Sequence, residues 1–172
     1  MEVLKAIFDR RSTRGFDGVS LTESELKTLI DAALASPSAM NRQPWHFSFV
    51  TDKNIIAEFD ACADKVLKRE GGLLMGAPLF VIISIDPAEK HRYTDVDCGI
   101  AVENLALAAM GLGMGSVIVG MPAQVLESEE GSVFMKKMGV PDGNVYTVGI
   151  IIGHNTVTKE AHPVLENRYT IV

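Results

Sequence analysis

From Leu79 to Ile85 the chain is apolar at every position except Ser84, opened by Pro78 and closed by Asp86-Pro87. An unbroken apolar run of strand length, without polar alternation, is a strand buried on both faces. A central strand of this kind must be covered twice, so the remaining elements have to pack around a sheet. With 172 residues the chain is long enough for one domain with a substantial core and too short for two ordinary ones, so 1–172 is read as a single domain. The 47% share of hydrophobic residues is high for that size and points to an apolar surface buried against a second subunit.

Helical spacing of Val3, Leu4, Ile7 and Phe8 predicts a short first helix ending near Arg10. Thr22 and Glu25 form a capping-box pattern ahead of a second helix with Leu26, Leu29, Ile30 and Ala33 on one face. Asp52 caps a third, which Gly71-Gly72 ends. Asp95 and Asp97 begin a fourth that runs to Met110, and residues 127–138 read as a fifth, mostly exposed helix. The small residues Gly99, Ala101, Ala106, Ala108 and Ala109 let something pack close to the fourth helix, either a partner's helix or the sheet. Strands are expected from Trp45, over 116–119 and over 145–152. Tyr169-Thr170-Ile171-Val172 has strand character after a loose arm and suits pairing with an edge, in this chain or another.

The chain is organised around residues 36–47, which change character three times. A helix enters, a small-residue turn with Pro37 and Pro44 follows, and an aromatic run containing the single tryptophan, Trp45, leaves. Small residues beside Asn41 and Gln43 suit close approach of backbone and amide groups to a flat, polar-edged ligand. A corner stiffened by two prolines is the plain alternative. A second notable stretch is Arg10-Arg11-Ser12-Thr13-Arg14, a local excess of cations in a chain of net charge −6. Guanidinium forks beside hydroxyls hold phosphate well, although a solvated basic turn has the same composition.

The net charge argues against general nucleic-acid affinity. Cys62 and Cys98 lack metal-like spacing and read as free thiols of a reducing compartment, and no signal peptide is visible, so a cytoplasmic location is expected. The apolar stretch 105–121 is interrupted by Gly111, Gly113, Gly115 and Gly120 and reads as a buried helix, a turn and a strand rather than a membrane span. There is no Walker loop, dinucleotide fingerprint, serine elbow or histidine pair at metal-ligand spacing. An anion-binding cluster without acid–base or metal machinery fits an organic cofactor that carries the chemistry itself.

The ordered set of Arg10-Arg11-Ser12-Thr13-Arg14, the Pro37 to Trp45 loop, Ala77-Pro78 before the apolar strand, and Asp97-Cys98 through Asn104 to Ala109 ahead of Gly111-Leu112-Gly113 resembles the nitroreductase family of FMN-dependent oxidoreductases. That resemblance implies an α+β fold with an antiparallel central sheet flanked by helices. It also implies an intertwined homodimer with FMN at the subunit interface. Carried over by motif, Arg10, Arg11, Ser12 and Arg14 would contact the phosphate, ribityl chain and pyrimidine edge. Pro37, Ser38, Ala39, Met40, Asn41 and Gln43 would come from the other subunit, and the turn at Val119 and Gly120 would place a backbone amide near the flavin N5.

Relatives carry a late pair of basic residues on the phosphate. Here Lys159 is followed by Glu160 and Ala161, which leaves Lys159 and Arg168 as candidates. Relatives also place an amide or lysine before the Ala-Pro strand, where this chain has Lys68, Arg69 and Gly71-Gly72. The implied activity is ping-pong hydride transfer from NADH or NADPH to a nitroaromatic, quinone or related small acceptor, with no catalytic side chain. The alternatives are a specialised flavin-dependent dehydrogenase or flavin-consuming enzyme, and a non-catalytic flavin-binding or storage protein.

Overall fold

A computed structural model describes residues 2–160 and 163–172. In it the apolar run is strand β2 (Leu79–Ile85), paired antiparallel on one side with β1 (Trp45–Val50) and on the other with β4 (Val145–Gly153). β4 in turn pairs antiparallel with β3 (Gly115–Val119), giving the order β1-β2-β4-β3. All seven residues of β2 are buried. Their side chains divide by the period of two: Phe80 and Ile82 enter one core, whereas Leu79, Val81, Ile83 and Ile85 enter another on the opposite face. The double burial expected of this run is therefore what positions every other element.

Helices α1 (Val3–Asp9), α2 (Glu23–Leu34), α3 (Lys53–Leu67), α4 (Thr94–Gly111), α5 (Pro122–Leu126) and α6 (Val133–Lys137) surround the sheet. Ile56, Phe59 and Ala63 of α3, Val125 of α5 and Phe134 of α6 fill the first core; Leu29 and Ala33 of α2 and Cys98, Ala101, Leu105 and Ala109 of α4 fill the second. The capping box of α2 is formed as expected, with Thr22 Oγ1 accepting the Glu25 N–H at 3.2 Å and Glu25 Oε2 accepting the Thr22 N–H at 2.7 Å. That backbone bond, more than any other contact, lowers the Glu25 pKa. Asp52 caps α3, which ends at Lys68 in the left-handed region with φ 51°.

The alanines Ala101, Ala106 and Ala109 of α4 are buried in the core against the sheet, which settles one of the two packing options for that helix. Its outward side keeps Val96, Gly99 and Ile100 exposed. Together with Val3, Leu4, Ile7 and Phe8 on α1, which are also exposed, these form apolar surface without cover in one chain. Among the described residues no helix is long and apolar enough to cross a membrane. Cys62 and Cys98 are both free.

Two expectations need correction. Residues 127–138 do not form one exposed helix: α5 ends at Leu126, turns follow, and α6 begins at Val133 with Phe134 and Met138 buried. The break lies at Ser128 and Gly131. Ser128 Oγ donates to the Val125 carbonyl at 2.7 Å and accepts the Gly131 N–H at 3.0 Å, while a Cβ at Gly131 would meet the Val125 carbonyl oxygen at 1.9 Å. Tyr169 to Val172 form no strand within this chain, and Tyr169, Ile171 and Val172 are exposed.

Candidate functional site

The basic cluster follows α1, where Arg10 ends the helix with its N–H on the Ala6 carbonyl at 2.9 Å. The chain then runs extended and is stitched across the ends of β3 and β4. Thr13 N–H donates to the Ser116 carbonyl at 2.8 Å, Ser12 and Phe16 make isolated bridges to Ser116 and Asn155, and Asp17 N–H donates to the His154 carbonyl at 3.1 Å. Gly115 permits this crossing. A Cβ there would lie 2.8 Å from both Asn155 and Thr13 side-chain carbons.

Between these elements lies a cleft of about 160 Å³, lined by Arg10, Arg11, Thr13, Gly115, Ser116 and Lys159 among others. Of the predicted cations, the fold thus brings Arg10, Arg11 and Lys159 to one place. Arg10 Nε also reaches Glu103 Oε1 at 3.2 Å. Arg11 is fixed by donating Nη1 to the carbonyls of Phe8 and Arg10, both at 2.7 Å, and its Nε is buried without a hydrogen-bond partner. A buried guanidinium N–H without an acceptor suits an incoming anion. Ser12 and Arg14 share the segment but do not line this cleft; Arg14 Nη1 bonds the Ser12 carbonyl at 3.3 Å. Arg168 is exposed and is not among the lining residues.

Val119 and Gly120 lie at the other end of β3. Val119 is 8% exposed, and its carbonyl accepts the Tyr146 hydroxyl at 2.5 Å. Three residue steps of extended strand lead from Ser116 to Val119, a span of about 10 Å. β3 therefore acts as a ruler between the anion-ready cleft and the Gly120 turn. Tyr146 is buried enough that desolvation raises its pKa, so the phenol stays a neutral donor.

The 36–43 loop stands elsewhere. Ser36 and Ser38 flank Pro37, a short 3-10 turn covers Ala39–Asn41, and Met40, Asn41 and Gln43 have φ of 55°, 53° and 47°. Non-glycine residues in this region are strained at a cost of roughly 1–3 kcal/mol each, and such strain clusters at ligand clamps. Ser38 Oγ accepts the Gln43 N–H at 2.9 Å, and Gln43 Nε2 donates to Asn41 Oδ1 at 2.8 Å. The loop lies against the start of α4, where Ala39 meets Asp97; the cleft touches Met110 near that helix's end. Thirteen helical residues are about 20 Å. The cleft lined by the basic cluster includes no residue of the loop.

The nitroreductase family profile matches residues 7–154. The chain belongs to the nitroreductase family. A Desulfitobacterium hafniense nitroreductase solved with bound FMN is similar to it at a TM-score of 0.89 and 30% identity, covering 100% of this chain and 99% of that one. An Archaeoglobus fulgidus protein provisionally named NADH dehydrogenase/NAD(P)H nitroreductase is 30% identical over 92% of this chain and 88% of its own length. The NADPH-flavin oxidoreductase of Vibrio harveyi is 28% identical over 96% of this chain and 74% of its own length. Its membership makes the α+β architecture with an antiparallel sheet a nitroreductase fold.

Several residues that the fold brings to the cleft, the loop and the Gly120 turn carry no signal of that placement in the sequence. Thr13 was seen only as part of the basic run, and Ser116 only as the start of a strand. Neither carries a local signal, because both reach the cleft through pairing between distant segments. Asp97 read as a helix-start residue, and Tyr146 as one residue of a strand.

Proposed function

We propose that this nitroreductase-family chain is a cytoplasmic, FMN-dependent NAD(P)H oxidoreductase that works as a homodimer. The observation that carries the reading is the gathering of Arg10, Arg11 and Lys159, with Thr13 and Ser116, around one cleft. Cations and hydroxyls in that combination match a phosphate ester, and the partnerless Arg11 Nε offers a further donor, so these residues fit FMN. When bound, FMN would supply the hydride chemistry between NADH or NADPH and a nitroaromatic, quinone or related acceptor, in a ping-pong sequence.

The chain's own residues bind and orient. Arg10, Arg11 and Lys159 would hold the phosphate in the cleft, Ser12 and Arg14 beside it would serve the ribityl chain and pyrimidine edge, and Lys159 takes the late-chain role in preference to Arg168, which does not line the cleft. Val119 and Gly120 present the backbone amide beside the redox ring. Pro37, Ser38, Ala39, Met40, Asn41 and Gln43 complete the site of the partner subunit. The separation of about 20 Å along α4 supports that division, because one copy does not close its own site. The uncovered apolar faces of α1 and α4 and the exposed 163–172 arm supply the surface for an intertwined dimer.

An anaerobic absorbance titration of FMN-reconstituted protein with NADH and then NADPH, followed by a quinone, tests this reading. Bleaching by a nicotinamide and recovery with the quinone is expected. Bound flavin that neither nicotinamide reduces would overturn it.

A further inference from the structure

The strained loop is tied to the body by few groups, and the principal one is a buried carboxylate. Asp97, 3% exposed on α4, accepts the Ala39 N–H through Oδ1 at 3.0 Å. Ala39 immediately precedes Met40 and Asn41, the first two residues in the left-handed region. The other side-chain link from the loop to α4 among the described residues is Asn104 Nδ2 donating to Ser36 Oγ at 3.0 Å, ahead of the strained part.

The second carboxylate oxygen, Oδ2, is buried without a hydrogen-bond partner, and so is Nε2 of His91, 3.5 Å away. The His91 ring is oriented by its own segment: Nδ1 accepts the Tyr93 N–H at 3.2 Å, which leaves the ring proton on Nε2, and the His91 N–H donates to Thr94 Oγ1 at 2.9 Å. The imidazole N–H thus faces the free carboxylate oxygen across a gap slightly too long for a good hydrogen bond. The carboxylate is thus held by the amide through Oδ1 and faces the imidazole through Oδ2. Burial makes the loss of either partner expensive.

We propose that Asp97 is the positioning residue that fixes the strained 39–43 loop in the shape it presents to the partner's cofactor, with His91 orienting its carboxylate. The proposal rests on the assignment of that loop to the FMN site. Asp97 touches no cofactor or substrate. It acts through the Ala39 amide.

The test compares D97A, D97N and H91F by two readouts: amide hydrogen exchange of residues 39–43 in FMN-free protein, and FMN affinity by flavin fluorescence quenching. D97A removes a charge-assisted acceptor, so the Ala39 amide should exchange about tenfold faster or more and FMN should bind about tenfold more weakly. D97N keeps an oxygen for the Ala39 N–H and should restore most of both, which a role in general core packing would not predict. H91F should weaken FMN about threefold by loosening the carboxylate. Unchanged exchange at Ala39 in D97A overturns the proposal. Faster exchange with undiminished FMN affinity upholds Asp97 as the loop's anchor and overturns instead the placement of the loop at the cofactor.

Discussion

Segment 12–17 and loop 37–43 are both short, polar and irregular, yet they are held in opposite ways. The first borrows the sheet: Thr13, Phe16 and Asp17 bond or bridge to Ser116, Asn155 and His154, and Gly115 clears the room for the crossing. The second is tied mostly to itself, carries three strained non-glycine residues, and leans on Asp97. The basic half of the proposed site is preformed by regular pairing. The loop half stores strain that a single buried carboxylate and the assembled site must offset.

That contrast predicts different kinds of failure. The largest effect belongs to the cleft: R10A/K159A should weaken FMN by about two to four orders of magnitude, since each cation makes a charge-assisted contact of roughly 1.5–3 kcal/mol, while the thermal midpoint of FMN-free protein stays almost unchanged. Titrating FMN into the variant and melting the FMN-free form separates the two. Next, a Cβ in the crossing point should cost stability. G115A should destabilise by about 1–3 kcal/mol, read by urea unfolding, because Thr13 and Asn155 must move.

On the loop the sign reverses. M40G relieves left-handed strain and should stabilise the FMN-free protein by up to about 1 kcal/mol while weakening FMN, a combination no cleft variant should show. An equal loss of stability and binding in M40G would erase the distinction between the halves.

Smaller effects concern the scaffold. Asp60 Oδ1 accepts the N–H groups of Leu73 and Leu74 at 2.7 and 2.8 Å, and desolvation raises its pKa. The folded protein therefore keeps that proton to higher pH than the unfolded chain. Its contribution is favourable below the unfolded value, declines as pH rises toward the raised folded value, and above that the buried charge is a net cost. D60N retains an acceptor for both amides and should flatten this part of the pH–stability curve, measured by melting between pH 4 and 8, on the order of the usual carboxylate range. Burial also pushes the Cys98 thiol up to about 11, so it should resist a disulfide reagent in folded protein at neutral pH.

Much of this was legible in the residues themselves. The uninterrupted apolar run at Leu79 to Ile85 announced a doubly covered strand because burial on both faces admits no polar alternation. Thr22 with Glu25, and Asp52, announced caps because their partners lie within three residues. What stayed hidden depends on distant segments. Ser116 is in the cleft only because Thr13 pairs with it, and Asp97 is an anchor only because Ala39 folds back across 58 positions. The helix expected over 127–138 failed for a similar reason, since the Ser128 and Gly131 turn is invisible to helical spacing. Tyr169 to Val172 read as a strand from propensity, but a strand needs a partner edge, and within this chain these residues pair with none.

The central claim is that each site joins the basic cleft of one subunit to the loop of the other. It is tested by purifying heterodimers of R10A/K159A and D97A chains through two different affinity tags and counting bound FMN. If the halves come from different subunits, one site in each heterodimer receives both intact halves and binds FMN with the affinity of the unaltered protein, whereas at an FMN concentration near that dissociation constant the D97A parent, weakened about tenfold, and the more strongly weakened R10A/K159A parent stay mostly empty. Heterodimers as empty as their parents would contradict the account, because every site would then be built within a single chain.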